Sequence, residues 1–320
     1  MKNKLKLLSI FFIFLMNLEK VSSEEFKFEA IEIQIKDNGN IIHAKDGVSI
    51  TSDNGVEIIS NNFEYNKKKK ILLVEGNVKI FNKKNDLKIF GEKFVYEKNI
   101  EKIYSDLDVL AVFKNKYNLK AKELNYFIED EKIISNKELL LTDNLNNKIK
   151  SDNFEYLIFE EIFKVNKFVY TDKIGNEYII NSAIINTQNN HLAGKDLEIN
   201  FHKRSFGNNN NDPRLKGNSI ISEENKTIIT KGVFTTCKKN DSCPPWELSA
   251  EKVVHDKNKK TINYKNAFLK LYDKNVFYFP KFFHPDPTVK RQSGFLIPTF
   301  NDNSNTGASS SITYFHVISD

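Results

Sequence analysis

The sequence predicts an all-β protein, and three observations favour this fold class. Polar and apolar side chains alternate over 74–80 and 107–113, which is the period-two pattern of strands with one buried and one solvated face. Twenty-six Phe and 12 Tyr among 320 residues also favour strands over helices. Short runs of this kind recur between turn-forming clusters along most of the chain. We therefore predict an elongated antiparallel β-stack or jelly roll over 24–275.

The N-terminus has the pattern of a secretory signal peptide. Three lysines, Lys2, Lys4 and Lys6, precede an apolar run over 7–18, and small residues follow at 21–23. Twelve apolar residues are too few for a membrane-spanning helix, which needs about 20. We therefore expect residues 1–23 to be removed and the remainder to be exported.

Five copies of a short motif predict that the strands are stacked in repeating units. In each copy a small residue is followed three positions later by an apolar residue and five positions later by an aromatic or polar one. The copies begin at Ser60, Gly91, Ala121, Ser151 and Ser182, which are 31, 30, 30 and 31 positions apart. A period of this length is typical of units that cannot bury their apolar faces alone.

The alternation also predicts which side chains face inward. Two readings of this inner face stay open: a core filled by its own side chains, or a groove open along one side. A groove would accommodate acyl chains, whose burial is favourable by about 0.8 kcal/mol per CH₂. The inward-facing candidates are Phe63, Tyr65, Val78, Ile80, Phe94, Tyr96, Leu124, Tyr126, Phe154 and Tyr156.

The composition excludes several function classes. The 48 basic and 42 acidic residues are mixed along the chain, so no arm for nucleic acid is expected. The six His residues have no metal-ligand spacing, and no nucleotide-binding or hydrolase motif is present. We expect neither a metal, nor a cofactor, nor an enzymatic activity.

The composition changes after residue 243, since six of the seven Pro residues lie between 244 and 298. Proline removes backbone donors and interrupts strand ladders, so a change of domain is expected here. We predict a Pro-rich hinge over 276–293 and a further segment over 294–320.

Four motifs in this region resemble one protein family. They are the runs 236–246, 250–256 and 278–280, and above all the fifteen residues from His284 to Pro298. The sequence is similar, over nearly its whole length, to the outer-membrane LPS-assembly protein LptD (organic solvent tolerance protein, OstA) family.

The resemblance implies an OstA-type periplasmic β-jelly roll and a location in the cell outer membrane, with this portion mainly in the periplasm. Such a domain receives lipopolysaccharide from a periplasmic bridge protein and passes it to an outer-membrane β-barrel. The bridge joins by strand addition at an exposed edge, which we place around 26–35 and 41–50. An outer-membrane lipoprotein partner would lie within the barrel.

The resemblance also assigns roles after residue 275. Segment 294–320 would be the start of an incomplete barrel, so we expect a fragment or a truncated product, because open sheet edges are not tolerated in lipid. Lys290 and Arg291 would contact lipid phosphates or merely face water. His284 beside Asp286 suggests acid–base work, but the flanking Pro285 and Pro287 favour a rigid hinge formed by these four residues. The resemblance implies that Pro298 is a gate residue in the first barrel strand.

Two cysteines, Cys237 and Cys243, leave the disulfide pattern open. The resemblance implies that Cys237 bonds to a partner in the barrel, which this chain does not include. A local bond between Cys237 and Cys243 is the other possibility, since it is geometrically feasible in a loop.

Two other functions remain from the sequence. The repeat alone would suit an exported structural or adhesive β-solenoid, which should have a filled core. A soluble bridge protein of the same transport system would also be built of such repeats, although it needs no barrel junction.

Overall fold

The computed structural model describes residues 25–144, 147–203, 211–240, 244–286, 289, 293–295, 299–303 and 307–317. Within these ranges every assigned strand pair is antiparallel, and the helical content is two short 3-10 turns, Asp37–Gly39 and Lys98–Ile100. The predicted all-β antiparallel class is confirmed. The signal peptide over 1–23 lies outside the described residues. The chain forms two compact units, one ending at Lys98 and one beginning at Asn99.

The first unit is a small antiparallel sheet centred on its third strand. One edge of β3 pairs with β4, and the other edge pairs with β2 near its beginning and with β1 near its end. Strands β4, β5 and β6 follow as a meander. The strands are β1 (Phe26–Glu29), β2 (Glu32–Lys36), β3 (Ile41–Ser52), β4 (Val56–Asn66), β5 (Ile71–Asn82) and β6 (Leu87–Glu97).

The long strands of the first unit bend in the middle, where the pairing register is interrupted. In β3 the shift falls between Lys45 and Val48, and in β5 between Glu75 and Val78. Gly76 has φ +81, and a Cβ there would lie 2.8 Å from the Asn61 amide, so glycine is required. Such bulges turn a strand so that its two halves face one interior.

The second unit begins with short strands arranged in two facing layers. In one layer β10 pairs with β7 and β11, and β11 pairs with β14. In the other, β9 pairs with β8 and β12, and β12 pairs with β13. The strands are β7 (Lys102–Ser105), β8 (Val109–Phe113), β9 (Tyr117–Ala121), β10 (Leu124–Phe127), β11 (Lys132–Ser135), β12 (Leu139–Asp143), β13 (Lys148–Ser151) and β14 (Asn153–Leu157).

One strand, β15 (Ile162–Thr171), joins the two layers. Its first half pairs with β14, its second half pairs with β13, and Lys167 lies between them with φ 48. A meander of long strands then continues the sheet. These strands are β16 (Glu177–Asn186), β17 (His191–Asn200), β18 (Arg214–Ser222), β19 (Lys226–Thr235), β20 (Trp246–Asp256), β21 (Thr261–Leu271) and β22 (Lys274–Pro285).

The bends of these long strands are aligned across the sheet. At each bend one residue of a strand, or two between β18 and β19, is left out of the ladder. Four of the bend residues have positive φ between 48° and 55°. Both halves of the sheet therefore turn about one line, and we call the inner face of β15–β22 the trough. The bend positions are Lys167, Asn181, Asp196, Asn218, Lys231, Glu251, Asn266 and Pro280.

The small residue of the repeated motif lies beside a bend or at the end of a strand. Ser60 is buried, and its hydroxyl donates to the Asn62 carbonyl at 3.0 Å. Ser151 is buried in the same way and donates to the Asn153 carbonyl at 2.6 Å. One motif therefore corresponds to a pair of bent strands, which explains the spacing of about 30 residues.

The structure differs from the sequence prediction at the Pro-rich hinge. Residues 276–285, which we assigned to the hinge, lie in β22 and pair along β21 as far as Pro285. Pro280 is tolerated because it occupies the unpaired bend position opposite Asn266, where no backbone donor is needed.

Four short strands follow in the segment that we assigned to the start of a barrel. They are β23 (Gly294–Phe295), which pairs with β26 (Tyr314–Phe315), and β24 (Thr299–Asn303), which pairs with β25 (Gly307–Ser311). That these strands begin a barrel stays a prediction.

Substitutions at the bend residue Lys231 test the role of its left-handed backbone. Lys231→Val should lower the free energy of unfolding by about 1–2 kcal/mol, because a β-branched residue is strained at positive φ. Lys231→Gly should be close to neutral, since glycine adopts this conformation readily. Urea denaturation measures both values.

The matched control is Lys195, an exposed residue in the paired part of β17. At this position the order of the two stabilities should reverse. Lys195→Val should be tolerated, and Lys195→Gly should lower the free energy of unfolding by about 0.5–1 kcal/mol. The same order at both positions would contradict the assignment of Lys231 to a bend.

Candidate functional site

All ten side chains that the sequence assigns to the inner face point inward and are buried, with at most 4% of their surface exposed. The first unit contains Phe63, Tyr65, Val78, Ile80, Phe94 and Tyr96, and the second contains Leu124, Tyr126, Phe154 and Tyr156. At these positions the interior of each unit is filled by its own side chains.

Aromatic rings fill the interior of the first unit. Phe28 stacks on Phe63 with ring centroids 4.5 Å apart. Phe26 meets Tyr65 and Tyr96 edge to face, at 5.1 and 5.2 Å. Strand β1 therefore covers the inner face that β4 and β6 present.

Polar groups fix the tyrosine hydroxyls of this unit. Tyr65 donates to Glu25 at 2.5 Å, and Lys70 pairs with the same carboxylate at 2.6 Å. Burial opposes ionisation of Glu25, but the hydrogen bonds from Lys70 and Tyr65 outweigh it and bring its pKa below the ordinary value. Burial, together with the Glu25 carboxylate, raises the pKa of Tyr65.

A second polar group in this unit surrounds Lys98, which is buried. Its ammonium pairs with Asp53 at 2.5 Å and lies 5.8 Å from the centroid of the Tyr96 ring. The Tyr96 hydroxyl accepts a hydrogen bond from Asn54 at 2.8 Å. Lys98 is thus both paired and covered by aromatic surface, as a buried cation requires.

Aromatic contacts also link the two facing layers of the second unit. Phe113 on β8 packs on Tyr156 of β14 at 4.9 Å, and Tyr156 stacks on Phe163 at 4.2 Å. The Tyr156 hydroxyl is buried and has no hydrogen-bond partner among the described residues. Burial raises the pKa of Tyr156.

The filled interior continues into the trough formed by β15 to β22. An inward-facing row crosses the strands in register, and burial decreases toward its end, where the final Phe is half-buried. The row is Phe154, Val165, Ala183, Gly194, Ile220, Ile229, Val253, Tyr264 and Phe282.

A second inward row lies nearer the open side, and we call it the rim. All of its members lie on β16–β22 and are half-buried, so solvent reaches this side of the interior. The rim consists of Ile185, Leu192, Ser222, Thr227, His255, Ile262 and His284. The trough and its rim form the candidate functional site, because a continuous apolar row lies there beside half-buried side chains that solvent reaches.

A cavity of about 720 Å³ lies along strands β11 and β14 to β18. Its lining includes Glu155 and Lys164, whose exposed ion pair measures 2.9 Å. Five residues of the inward row line it as well: Phe154, Val165, Ala183, Gly194 and Ile220.

The end of the rim carries polar side chains that sequence analysis had placed in the hinge. His284 lies 2.9 Å from the Tyr264 hydroxyl, and its Nδ1 lies 2.6 Å from the Pro285 carbonyl oxygen. Burial lowers the pKa of His284. Asp286 contacts His255 on the neighbouring rim position at 2.5 Å.

Several other predicted site residues lie outside the described residues: Cys243, Pro287, Lys290, Arg291 and Pro298. Cys237 is described and half-buried, with its thiol 3.6 Å from the Trp246 carbonyl oxygen. The disulfide, phosphate-contact and gate assignments stay predictions.

Metal-binding clusters and membrane-spanning helices are both absent from the described ranges. No group of three potential metal-ligating side chains was found there. In the same ranges no helix combines the length and the apolar character that crossing a membrane requires.

Sequence analysis missed the aromatic residues at the open end of the trough. Phe279 and Phe282 on β22 pack together at 5.4 Å, and Phe282 lies 5.6 Å from Tyr264. The alternation of Phe277 and Phe279 was a usable signal, but Pro280 argued against a strand.

The fold and the site define an antiparallel β protein with bent strands that enclose apolar interiors, one of which opens into a trough. Curated proteins named LPS-assembly protein LptD match part of this chain. The protein of Nitrosococcus oceani is 36% identical over 90 residues, and that of Shewanella denitrificans is 33% identical over 95 residues. The protein of Francisella tularensis subsp. novicida is 31% identical over 88 residues. These matches confirm the predicted resemblance to the N-terminal portion of the LptD family.

The extent of these matches is limited. They cover 28–30% of this chain and 10–12% of the length of the relatives. No family model matches the chain. Among solved structures, LptH of Pseudomonas aeruginosa, an LptA-homologous periplasmic component of the lipopolysaccharide transport device, aligns with 44% of this chain and 81% of its own. Its TM-score is 0.21 at 10% identity, which adds nothing to the assignment.

Removing the Tyr156 hydroxyl tests whether it lacks a partner. Tyr156→Phe should leave the free energy of unfolding unchanged or raise it by up to about 1 kcal/mol, because a buried hydroxyl without a partner is unfavourable. Tyr264→Phe is the control in the same unit. It should lower the free energy of unfolding by about 1 kcal/mol, since it removes the bond to His284. Urea denaturation measures both free energies of unfolding. An equal decrease in the two variants would contradict the absence of a partner for the Tyr156 hydroxyl.

The buried His284 predicts a dependence of stability on pH. Its pKa is lower in the folded protein than the ordinary 6.5, so the unfolded chain binds more protons at acidic pH. Stability contributed by neutral His284 is therefore present above about pH 6.5 and is lost as the pH falls toward the lower folded-state pKa. His284→Gln should flatten the loss of stability just below pH 6.5 in urea denaturation. His191→Gln, on an exposed residue of β17, should leave that loss in place.

Proposed function

We propose that this chain is the periplasmic receiving domain of an outer-membrane LPS-assembly protein. It binds the acyl chains of lipopolysaccharide in its apolar interior and passes the molecule to a β-barrel for insertion in the outer leaflet. The observation that carries the proposal is the inward apolar row from Phe154 to Phe282, which is buried at one end and accessible at the other.

The geometry of the trough suits an amphiphile with several acyl chains. Each CH₂ moved from water into the trough contributes about 0.8 kcal/mol, so a few chains supply a large binding energy. The half-buried rim lets a polar headgroup stay in water while the chains lie inside. We place the first contacts with acyl chains at the half-buried rim of β16–β22 and at Phe282, because most of the inward row on these strands is buried.

The ten inward-facing positions predicted from the sequence are candidates for a deeper part of the path. Their side chains are packed against one another, so acyl chains would reach them only if the facing walls separate. The same packing favours a second candidate function, an exported structural β-solenoid, which needs a filled core. The half-buried rim, which combines Ile185, Leu192 and Ile262 with polar side chains, favours binding of an amphiphile, since a solenoid gains nothing from it.

A partner is proposed at the edge of the first unit. Strand β2 pairs with β3 on one side, and no described strand pairs with its other side. Every residue of β2 is exposed, including Ile33 at 45% and Ile35 at 67%. An edge of this kind can accept a strand from a periplasmic bridge protein of similar architecture.

The remaining assignments rest on the resemblance to proteins named LPS-assembly protein LptD. They are the location in the outer membrane with this portion mainly in the periplasm, the lipoprotein partner and the role of the barrel.

Photocrosslinking from two neighbouring residues tests the lipid-binding interior. Ile185 faces the rim, and Ile184 on the same strand faces outward with 52% of its surface exposed. A photoreactive amino acid at Ile185 should give an adduct with purified lipopolysaccharide, and the same group at Ile184 should give little. Gel mobility and mass spectrometry of the full chain detect the adduct.

Two further positions distinguish the candidate functions. Adducts at Tyr96 or Phe154 would extend the path into the filled interior. Adduct yields at Ile185 no greater than at Ile184, together with none at Tyr96 or Phe154, would contradict the conduit and leave the structural solenoid.

A further inference from the structure

Three lysines form a ladder on the outer face of the last three long strands. Lys252 on β20 lies directly opposite Lys265 on β21, which lies directly opposite Lys281 on β22. Their sequence neighbours Val253 and Tyr264 are buried in the trough, so the lysines point to the opposite face. Lys265 and Lys281 are exposed and Lys252 is half-buried.

Nothing in the described part of the chain neutralises this lysine ladder. No ion pair involves any of the three, although other outward lysines have one, such as Lys270 with Glu247 at 2.9 Å. The neighbouring acid, Glu251, accepts a hydrogen bond from the Asn266 amide at 2.5 Å. Like charges directly opposite on adjacent strands destabilise a sheet, so the arrangement favours binding of an anion.

Exposed aromatic rings flank the lysine ladder on the same face. Phe283, two residues beyond Lys281, has 60% of its surface exposed. Tyr278, on the other side of the bend, is 46% exposed and packs on Phe268 at 4.8 Å. The Tyr278 hydroxyl donates to Asn266 at 2.9 Å, which fixes the ring on this face. Cations beside amphipathic rings are typical of surfaces that rest at the level of lipid headgroups.

We propose that the outer face of β20–β22 docks on the surface of a bilayer that carries anionic headgroups. The phosphates contact the lysine ladder, and the rings of Phe283 and Tyr278 enter the headgroup region. The charge of the patch and that of the lipid surface are complementary, and docking removes the repulsion within the ladder. This surface lies on the opposite side of the sheet from the trough, so the proposal does not depend on lipid binding in the interior.

Vesicle sedimentation with the full chain tests the docking. Wild type should bind vesicles of phosphatidylcholine with added phosphatidylglycerol, should bind pure phosphatidylcholine weakly, and should dissociate as salt is raised. Simultaneous Lys252→Gln, Lys265→Gln and Lys281→Gln should weaken binding by on the order of a hundredfold. Replacing the same three lysines by Arg should retain binding, since the charge is kept.

The matched control removes the same charge elsewhere. Lys67→Gln, Lys68→Gln and Lys69→Gln together change three exposed lysines of a turn in the other unit and should leave vesicle affinity nearly unchanged. Phe283→Ser should weaken binding with every charge intact. The melting temperature of the Gln variant of the ladder should equal or exceed that of wild type, because the repulsion is gone.

Several results would overturn the proposal. One is equal loss of affinity in the ladder variant and in the turn variant, which would indicate a net-charge effect. Another is vesicle binding that survives the loss of the ladder, which would indicate uptake elsewhere in the chain. Displacement by inorganic phosphate but not by chloride at equal ionic strength would identify a soluble-phosphate site instead. Binding to an acidic protein without binding to anionic vesicles would also contradict it.

Discussion

The bend in the middle of each long strand is the constraint on which the rest of this structure depends. An uninterrupted antiparallel strand of ten to twelve residues would present one nearly flat apolar face, with nothing to cover it. Leaving one residue out of the ladder turns the second half of the strand back over the first. The left-handed backbone at Lys167, Asp196, Lys231 and Asn266 is unfavourable in itself. Burial of two apolar faces against each other offsets this cost.

The size of the inward side chains determines how the interior changes along the second unit. Large rings such as Phe113, Tyr156 and Phe163 connect the two facing layers where the strands are short. Small residues replace them near the bend line of the trough, as at Gly194, where an added Cβ would lie 2.7 Å from an Ile180 methyl group. The interior is thus dense at one end and becomes shallower and more accessible toward β22.

The outer face is governed by cross-strand charge pairs. Lysines face carboxylates on neighbouring strands in both units, for example Lys93 with Glu75 at 2.8 Å and Lys164 with Glu155 at 2.9 Å. Exposed pairs of this kind contribute little to stability, but they match charges across the register. The lysine ladder departs from this rule at the same strands where aromatic rings become exposed, and the two departures together set this part of the surface apart.

The sequence by itself determined the all-β class, the repeat and the direction of all ten predicted inward side chains, because alternation with period two fixes which face each residue takes. It did not determine where each strand bends, since the left-handed positions are Lys, Asp and Asn as well as Gly, and because Pro280 argued against a strand. Tertiary structure decided that the ten positions are packed and that the accessible apolar surface lies in the trough, since both depend on how far the facing walls stand apart. It also placed the three lysines of the ladder side by side. They are 13 and 16 positions apart in the sequence and become neighbours only through the register of β20, β21 and β22.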